Sequence, residues 1–113
     1  MNGKQYEIWL ADLNPHFGIE AGKTSPVLIV QTDLLNTVHP STLICPMTSQ
    51  VKSRVSILRV NLNANEGGLN KASAVMIDQV KAVDNKRLIK KLGNLPPHLE
   101  AKVKENIKTV MDL

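Results

Sequence analysis

The stretch Glu20-Ala-Gly-Lys-Thr-Ser-Pro-Val-Leu-Ile-Val30 joins a small polar loop to a run that must be buried, and it sets a neutral hydroxyl, Ser25, on the lip between them. Several familiar chemistries can be set aside for the residues around it. His16, His39 and His98 are isolated, and none has a second ligand three or four residues away on a helix, so no metal site is expected. Gly22-Lys-Thr24 matches only the end of a Walker loop and lacks its preceding strand and glycine spacing. A nucleophilic set of Ser25, His16 and Asp33 has no Gly-x-Ser-x-Gly elbow to support it. Cys45 lies inside the apolar segment Leu43-Ile-Cys-Pro-Met47 and reads as a buried structural thiol; being alone, it excludes a disulfide framework within one chain.

The elements that must position Ser25 are short and mostly extended. Tyr6 to Leu13 is apolar on both phases of the strand period, as expected of a strand covered on two sides, and Asn14-Pro-His-Phe-Gly18 ends it with turn chemistry. A loop runs through Gly22, and a second strand begins at Pro26, whose missing amide suits a strand start. Asp33 to Ser41 is largely polar. Thr42 to Cys45 is a third strand, ending at Pro46-Met-Thr48. Ile57 to Leu62 is a fourth, with Leu58, Val60 and Leu62 on a dry side and Arg59 and Asn61 on a wet one. After the Glu66-Gly-Gly68 turn, Ala74 to Val80 describes a fifth. Five short strands in eighty residues argue for a compact barrel or sandwich. Helices are expected last: a short one capped by Asp84, carrying Leu88, Ile89 and Leu92 and stopped by Gly93, and a longer one after Pro96-Pro97 with Leu99, Val103, Ile107, Val110 and Met111 in one apolar stripe.

The 113 residues suit one hydrophobic core, so a single domain spanning 1–113 is expected. Apolar content of 42% against 21% charged is globular, and with three aromatic residues the interior must be aliphatic. No run is long enough to span a membrane as a helix, and the opening MNGKQYEIW lacks the apolar core of a signal peptide, so a soluble cytoplasmic protein is expected. The net charge of +4 comes from the last third: residues 1–80 balance, whereas 81–113 hold eight Lys or Arg against Asp84, Glu100, Glu105 and Asp112. A basic third is compatible with nucleic acid, with an acidic protein, or with a solvated helix face.

One succession of blocks narrows this. Ile8-Trp-Leu-Ala-Asp-Leu-Asn-Pro15, Gly18-Ile-Glu20, Gly22-Lys-Thr-Ser-Pro-Val-Leu-Ile-Val-Gln31, Cys45-Pro-Met-Thr-Ser49, Gly68-Leu-Asn-Lys-Ala-Ser73 and Asp78-Gln-Val-Lys-Ala-Val-Asp84 resembles the MazF/PemK family, in order and spacing, over residues 6 to 111. These are toxins of bacterial type II toxin–antitoxin pairs, sequence-specific endoribonucleases that use no metal. The resemblance implies a mainly β fold with a C-terminal helix, an SH3-like small barrel. It further implies a homodimer that cleaves single-stranded mRNA without a cofactor, is blocked by a cognate acidic antitoxin, binds operator DNA only together with that antitoxin, and engages no membrane. The alternative within the same architecture is a toxin that inhibits DNA gyrase and cuts nothing.

Cleavage without a metal means that the ribose 2′-hydroxyl attacks its own phosphate, which calls for a proton acceptor, a donor to the departing 5′-oxygen and donors to the phosphorus oxygens. By the resemblance, the position before the motif's proline is an arginine, and here it is Ser25; Thr48 matches the second catalytic position and Glu20 the proton acceptor. Phe17, Ile19, Lys23, Ser49, Gln50, Asp78 and Gln79 fall at positions implied to contact RNA. Each has a plainer reading. Thr48 could satisfy a turn amide, Glu20 could organise its loop, Gln79 could bridge main chain, and Phe17 could pack beneath its own loop rather than stack on a base. Lys23, two residues from Ser25 in an extended stretch, shares a face with it and offers a substitute charge. A substitution made to disarm the enzyme and a naturally attenuated member both account for the serine, which predicts an impaired enzyme.

Overall fold

The computed structural model describes residues 2–14, 24–51 and 57–113. Seven strands are formed: β1 Glu7–Asp12, β2 Thr24–Ile29, β3 Ser41–Thr48, β4 Arg59–Leu62, β5 Ser73–Met76, β6 Lys81–Asp84 and β7 Leu88–Asn94, with helices α1 Asp33–Asn36 and α2 Glu100–Met111. All recorded pairings are antiparallel, in the order β4-β5-β3-β2-β1-β7, with β6 added to β3. The expected mainly β fold with a C-terminal helix is what forms.

Alternation along the strands divides the apolar side chains between two faces. Ile8, Leu28, Cys45, Met47, Val60, Leu62, Val75 and Ile77 point inward, where Leu95, just after β7, and Val103 of α2 close the interior. Trp9, Ala11, Val27, Ile29 and Ile44 occupy the opposite face of β1, β2 and β3, joined by Val83 of β6 and Leu88 of β7 from the flanking strands. β1 therefore is covered on both sides, as its unbroken apolar sequence requires. The two ends of the strand order are brought together by the turn after β4. There Gly67 and Gly68 have φ of +66° and +79°, and a Cβ on Gly68 would lie 1.9 Å from the Leu92 carbonyl oxygen of β7. Only glycine allows that approach, and it closes the sheet into a small barrel.

Several expectations are corrected. The fifth strand stops at Met76: Ile77–Gln79 is a 3-10 turn, and β6 then resumes against β3. Met47 pairs with Val75 but Ile44 pairs with Lys81, so three steps along β3 meet six along its neighbour, and the surplus is coiled into the turn. Pro46 lies in that interval and has no amide to support a continuous ladder.

The short helix over 84–93 does not form. Asp84 does cap, accepting the Lys86 amide at 2.8 Å, but it caps only the 3-10 turn Asn85–Arg87, and Leu88–Asn94 is the strand β7 paired with β1. The four-residue spacing of Leu88 and Leu92 fits either period, and the free edge of β1, with its unpaired amides and carbonyls, decides for the strand. Register shifts against β1 then send Leu88 to the outer cluster and Leu92 to the inner one.

The fourth strand begins at Arg59, leaving Ile57 55% and Leu58 37% exposed. α1, in the largely polar segment Asp33 to Ser41, starts where the Thr32 hydroxyl accepts the Leu34 amide at 3.3 Å. α2 follows its prolines as expected; its stripe is buried at Val103 and partly at Leu99 and Ile107, but Val110 and Met111 are 37% and 54% exposed because the last turn overhangs the barrel.

Candidate functional site

Pro26 biases the residue before it toward extended backbone, and Ser25 accordingly lies within β2, half-buried, paired with Ala11 of β1. On the other edge of β2 the ladder runs Val27 with Pro46, Leu28 with Cys45 and Ile29 with Ile44. The recorded ladder stops at Val27 and Pro46; Ser25 and Thr48, the last residue of β3, lie two residues beyond it on their strands and keep the outward phase of that pair. Thr48 in turn pairs with Ala74 of β5, and Ala74 with Asn61 of β4. Residues opposite one another share a face, so Ala11 and Ser25 fall in line, as do Thr48, Ala74 and Asn61, and the alternation of β2 and β3 puts both sets in a row on one side. That row lies on the outer face, because its neighbours Leu28, Met47, Val75, Val60 and Leu62 point inward. Ser25, Thr48 and Asn61 are half-buried there, whereas Ala11 and Ala74 are covered, so the accessible part of the row is its polar side chains.

The row's chemistry is set by two hydroxyls. Thr48 is half-buried and its Oγ1 accepts the Gln50 amide at 3.1 Å. The plainer role of the threonine is thus filled, yet an oxygen that accepts this bond leaves its own proton for another acceptor. Ser25 offers one more neutral donor. Neither brings a charge, and neither is a base.

The remaining implied positions are distributed around the row. Ser49 and Gln50 follow β3 and are exposed. Asp78 and Gln79 are exposed in the 3-10 turn after β5. Phe17, Ile19, Glu20 and Lys23 lie outside the described residues. Arg59 was read from its alternation only as a wet-face residue. Its guanidinium Nη1 donates to Asp78 Oδ1 at 2.7 Å and to the Leu58 carbonyl at 3.0 Å, and it sits one rung from the row, paired with Met76. The alternation showed that Arg59 faces outward; nothing local showed which strands lie beside it.

Beneath the row, Cys45 is wholly buried, and burial first, with the charge of Asp78 second, pushes its thiol up to about 12. It acts as a core side chain rather than a nucleophile. Among the described residues no three His, Cys, Asp or Glu are grouped so as to hold a metal ion. No helix among them is long and apolar enough to cross a membrane.

Residues 4–111 match the profile of the PemK-like, MazF-like toxins of type II toxin–antitoxin systems. The chain belongs to this toxin family. Among its relatives is endoribonuclease EndoA of Bacillus subtilis (strain 168), 28% identical over 110 residues, which cover 97% of this chain and 95% of the relative. Similar solved structures include the Mycobacterium tuberculosis toxin MazF-mt6, at 25% identity and a TM-score of 0.78, with 95% of this chain and 97% of that one covered. In fold it is also similar to a MazE–MazF structure (Form-III) from Deinococcus radiodurans, at 21% identity and a TM-score of 0.80, with 100% and 99% covered. The resemblance drawn from the sequence blocks is borne out, and this PemK/MazF toxin is a member of an endoribonuclease family.

Proposed function

We propose that this PemK/MazF toxin is a metal-independent endoribonuclease for single-stranded RNA whose rate is attenuated by the serine at position 25. The observation that supports the reading is that Ser25 and Thr48 fall on adjacent strands with the same outward phase, so in this reading a phosphate on the Thr48 hydroxyl comes within the compass of residue 25. In the reaction the ribose 2′-oxygen attacks the adjacent phosphorus and the bond to the 5′-oxygen breaks, leaving a 2′,3′-cyclic phosphate and a 5′-hydroxyl. Glu20 takes the 2′-proton. Thr48 donates to a phosphorus oxygen, and an arginine at position 25 would neutralise the crowded anion and protonate or shield the leaving oxygen.

Serine removes that charge. Loss of one well-placed transition-state donor typically costs about 3 to 4 kcal/mol, roughly a hundred- to thousandfold in rate. Lys23 is the nearest substitute by sequence. Phe17, Ile19, Ser49, Gln50, Asp78 and Gln79 line the path of the RNA in this reading.

The toxin works as a homodimer in the cytoplasm, held in check by an acidic, flexible antitoxin that occupies the RNA-binding face as a polyanion mimic. The family and the MazE-bound fold relative support the antitoxin as partner. The operator is bound only by the two proteins together.

The decisive experiment is paired digestion of a defined single-stranded RNA by the protein as it stands and by Ser25→Arg. The arginine variant should cut about a hundredfold faster or more and leave 2′,3′-cyclic ends. A Ser25→Arg protein that folds and leaves the RNA whole defeats the proposal.

A further inference from the structure

We propose that Arg59 is a phosphate-binding residue of the RNA face, masked by Asp78 in the free protein and transferred to an RNA phosphate on binding. The inference rests on the endoribonuclease reading and adds to it the group that holds the polyanion when position 25 cannot.

The strands that carry the site are nearly devoid of charge. Across β2, β3, β4 and β5, with the sequences TSPVLI, STLICPMT, RVNL and SAVM, Arg59 is the one charged side chain. It points to the side that bears Ser25 and Thr48, since Val60 and Leu62 beside it are buried inward. From Thr48 the path to it crosses two strand spacings of roughly 4.8 Å and one step of about 7 Å along β4. That distance suits a phosphate next along the strand from the one at Thr48.

The contact with Asp78 explains how such a residue rests. The pair is short, at 2.7 Å, but the two side chains are 33% and 38% exposed. An exposed ion pair is held weakly and is exchanged readily for a better partner. A phosphate is one: the planar guanidinium matches phosphate oxygens two at a time. The pairing also neutralises Asp78, which by itself would repel RNA from the turn that carries Gln79. Binding and cleavage are thereby separated. Arg59 retains the strand, whereas residue 25 governs the rate.

The test is fluorescence anisotropy of a labelled single-stranded RNA with the full chain, across 50 to 200 mM salt. Arg59→Gln should weaken binding about tenfold and flatten the slope of log K against log salt by about 0.7, the value for one phosphate contact on a single strand. Arg59→Lys should keep the slope. Asp78→Asn, which frees the guanidinium, should raise affinity with the slope unchanged, and Lys104→Ala on α2 serves as a control that alters neither. An unaltered slope in folded Arg59→Gln, or no rise with Asp78→Asn, overturns the proposal. The same variants are then made in the Ser25→Arg protein. If it cleaves but ignores Arg59, the endoribonuclease reading stands and this inference falls. If it never cleaves yet loses one phosphate contact with Arg59→Gln, the reverse holds. A protein that binds no RNA defeats both.

Discussion

The Thr48 hydroxyl accepts the Gln50 amide at 3.1 Å and so keeps its own O–H for a different acceptor at the end of β3. A threonine that only closed this turn would be replaced by serine or alanine at small cost to stability and none to chemistry. As a phosphate donor it behaves differently.

In the Ser25→Arg background, Thr48→Ala should lower the cleavage rate by about a hundredfold, and Thr48→Ser by much less, because serine keeps both the amide bond and the donor. Single-turnover rates on a defined RNA, read beside urea midpoints, separate the two roles. Equal rates for all three proteins would confine Thr48 to the turn.

Gly68→Ala should destabilise the protein by more than about 2 kcal/mol, since the new methyl carbon meets the Leu92 carbonyl and the backbone stays at φ +79°. Equilibrium urea unfolding measures it. Because the contact joins β4's turn to β7, the variant should also lose protection from hydrogen exchange in β7 before it does so in β2 and β3.

Glu7 gives the fold an acid limit. Burial alone would raise its carboxyl above the ordinary value of 4.5, but bonds from the Trp9 indole, the Lys4 amide and the Lys91 ammonium outweigh burial and hold it below. A group whose folded value is depressed contributes fully above its ordinary value and is lost as pH falls through the folded one. Glu7→Gln should therefore cost roughly 1 to 2 kcal/mol at pH 7, and the gap to the parent should shrink below pH 4.5. Thermal melts at stepped pH check this; a gap that stays constant into acid would remove the carboxylate from the account.

Cys45 should resist a thiol reagent in the folded protein. With its thiol pushed up to about 12, the thiolate is about one part in ten thousand at pH 8, and the sulfur is buried besides. Labelling should proceed only after denaturation, and rapid native labelling would mean that the barrel interior opens.

Much of this architecture was legible along the chain. β1 through β4 follow from apolar runs bounded by proline, glycine and asparagine, and α2 from the prolines that precede an apolar stripe. The mistakes share one cause. Leu88 and Leu92 satisfy both a helix and a strand, and Ala74 to Val80 reads as one strand, until β1 and β3 are present as partners whose register must be met. Thr32, the cap of α1, was a local signal that went unread. Of the site, Ser25 and Thr48 were singled out by block matching, whereas Arg59 lies between blocks and carried no mark beyond its outward phase.

The sequence by itself determined the family, the approximate positions of β1 to β4, the inward and outward phase of β4, and the presence of a neutral alcohol at position 25. These are matters of residue identity and of short-range period, which the chain carries locally. Tertiary structure alone decided that β2 lies beside β3, that three residues coil between β5 and β6, and that Arg59 meets Asp78 nineteen positions away. Those relations depend on which strands pair and in what register, and a slip of one residue would turn every side chain to the other face. Register is fixed by the packing of the whole barrel and by no segment of it alone.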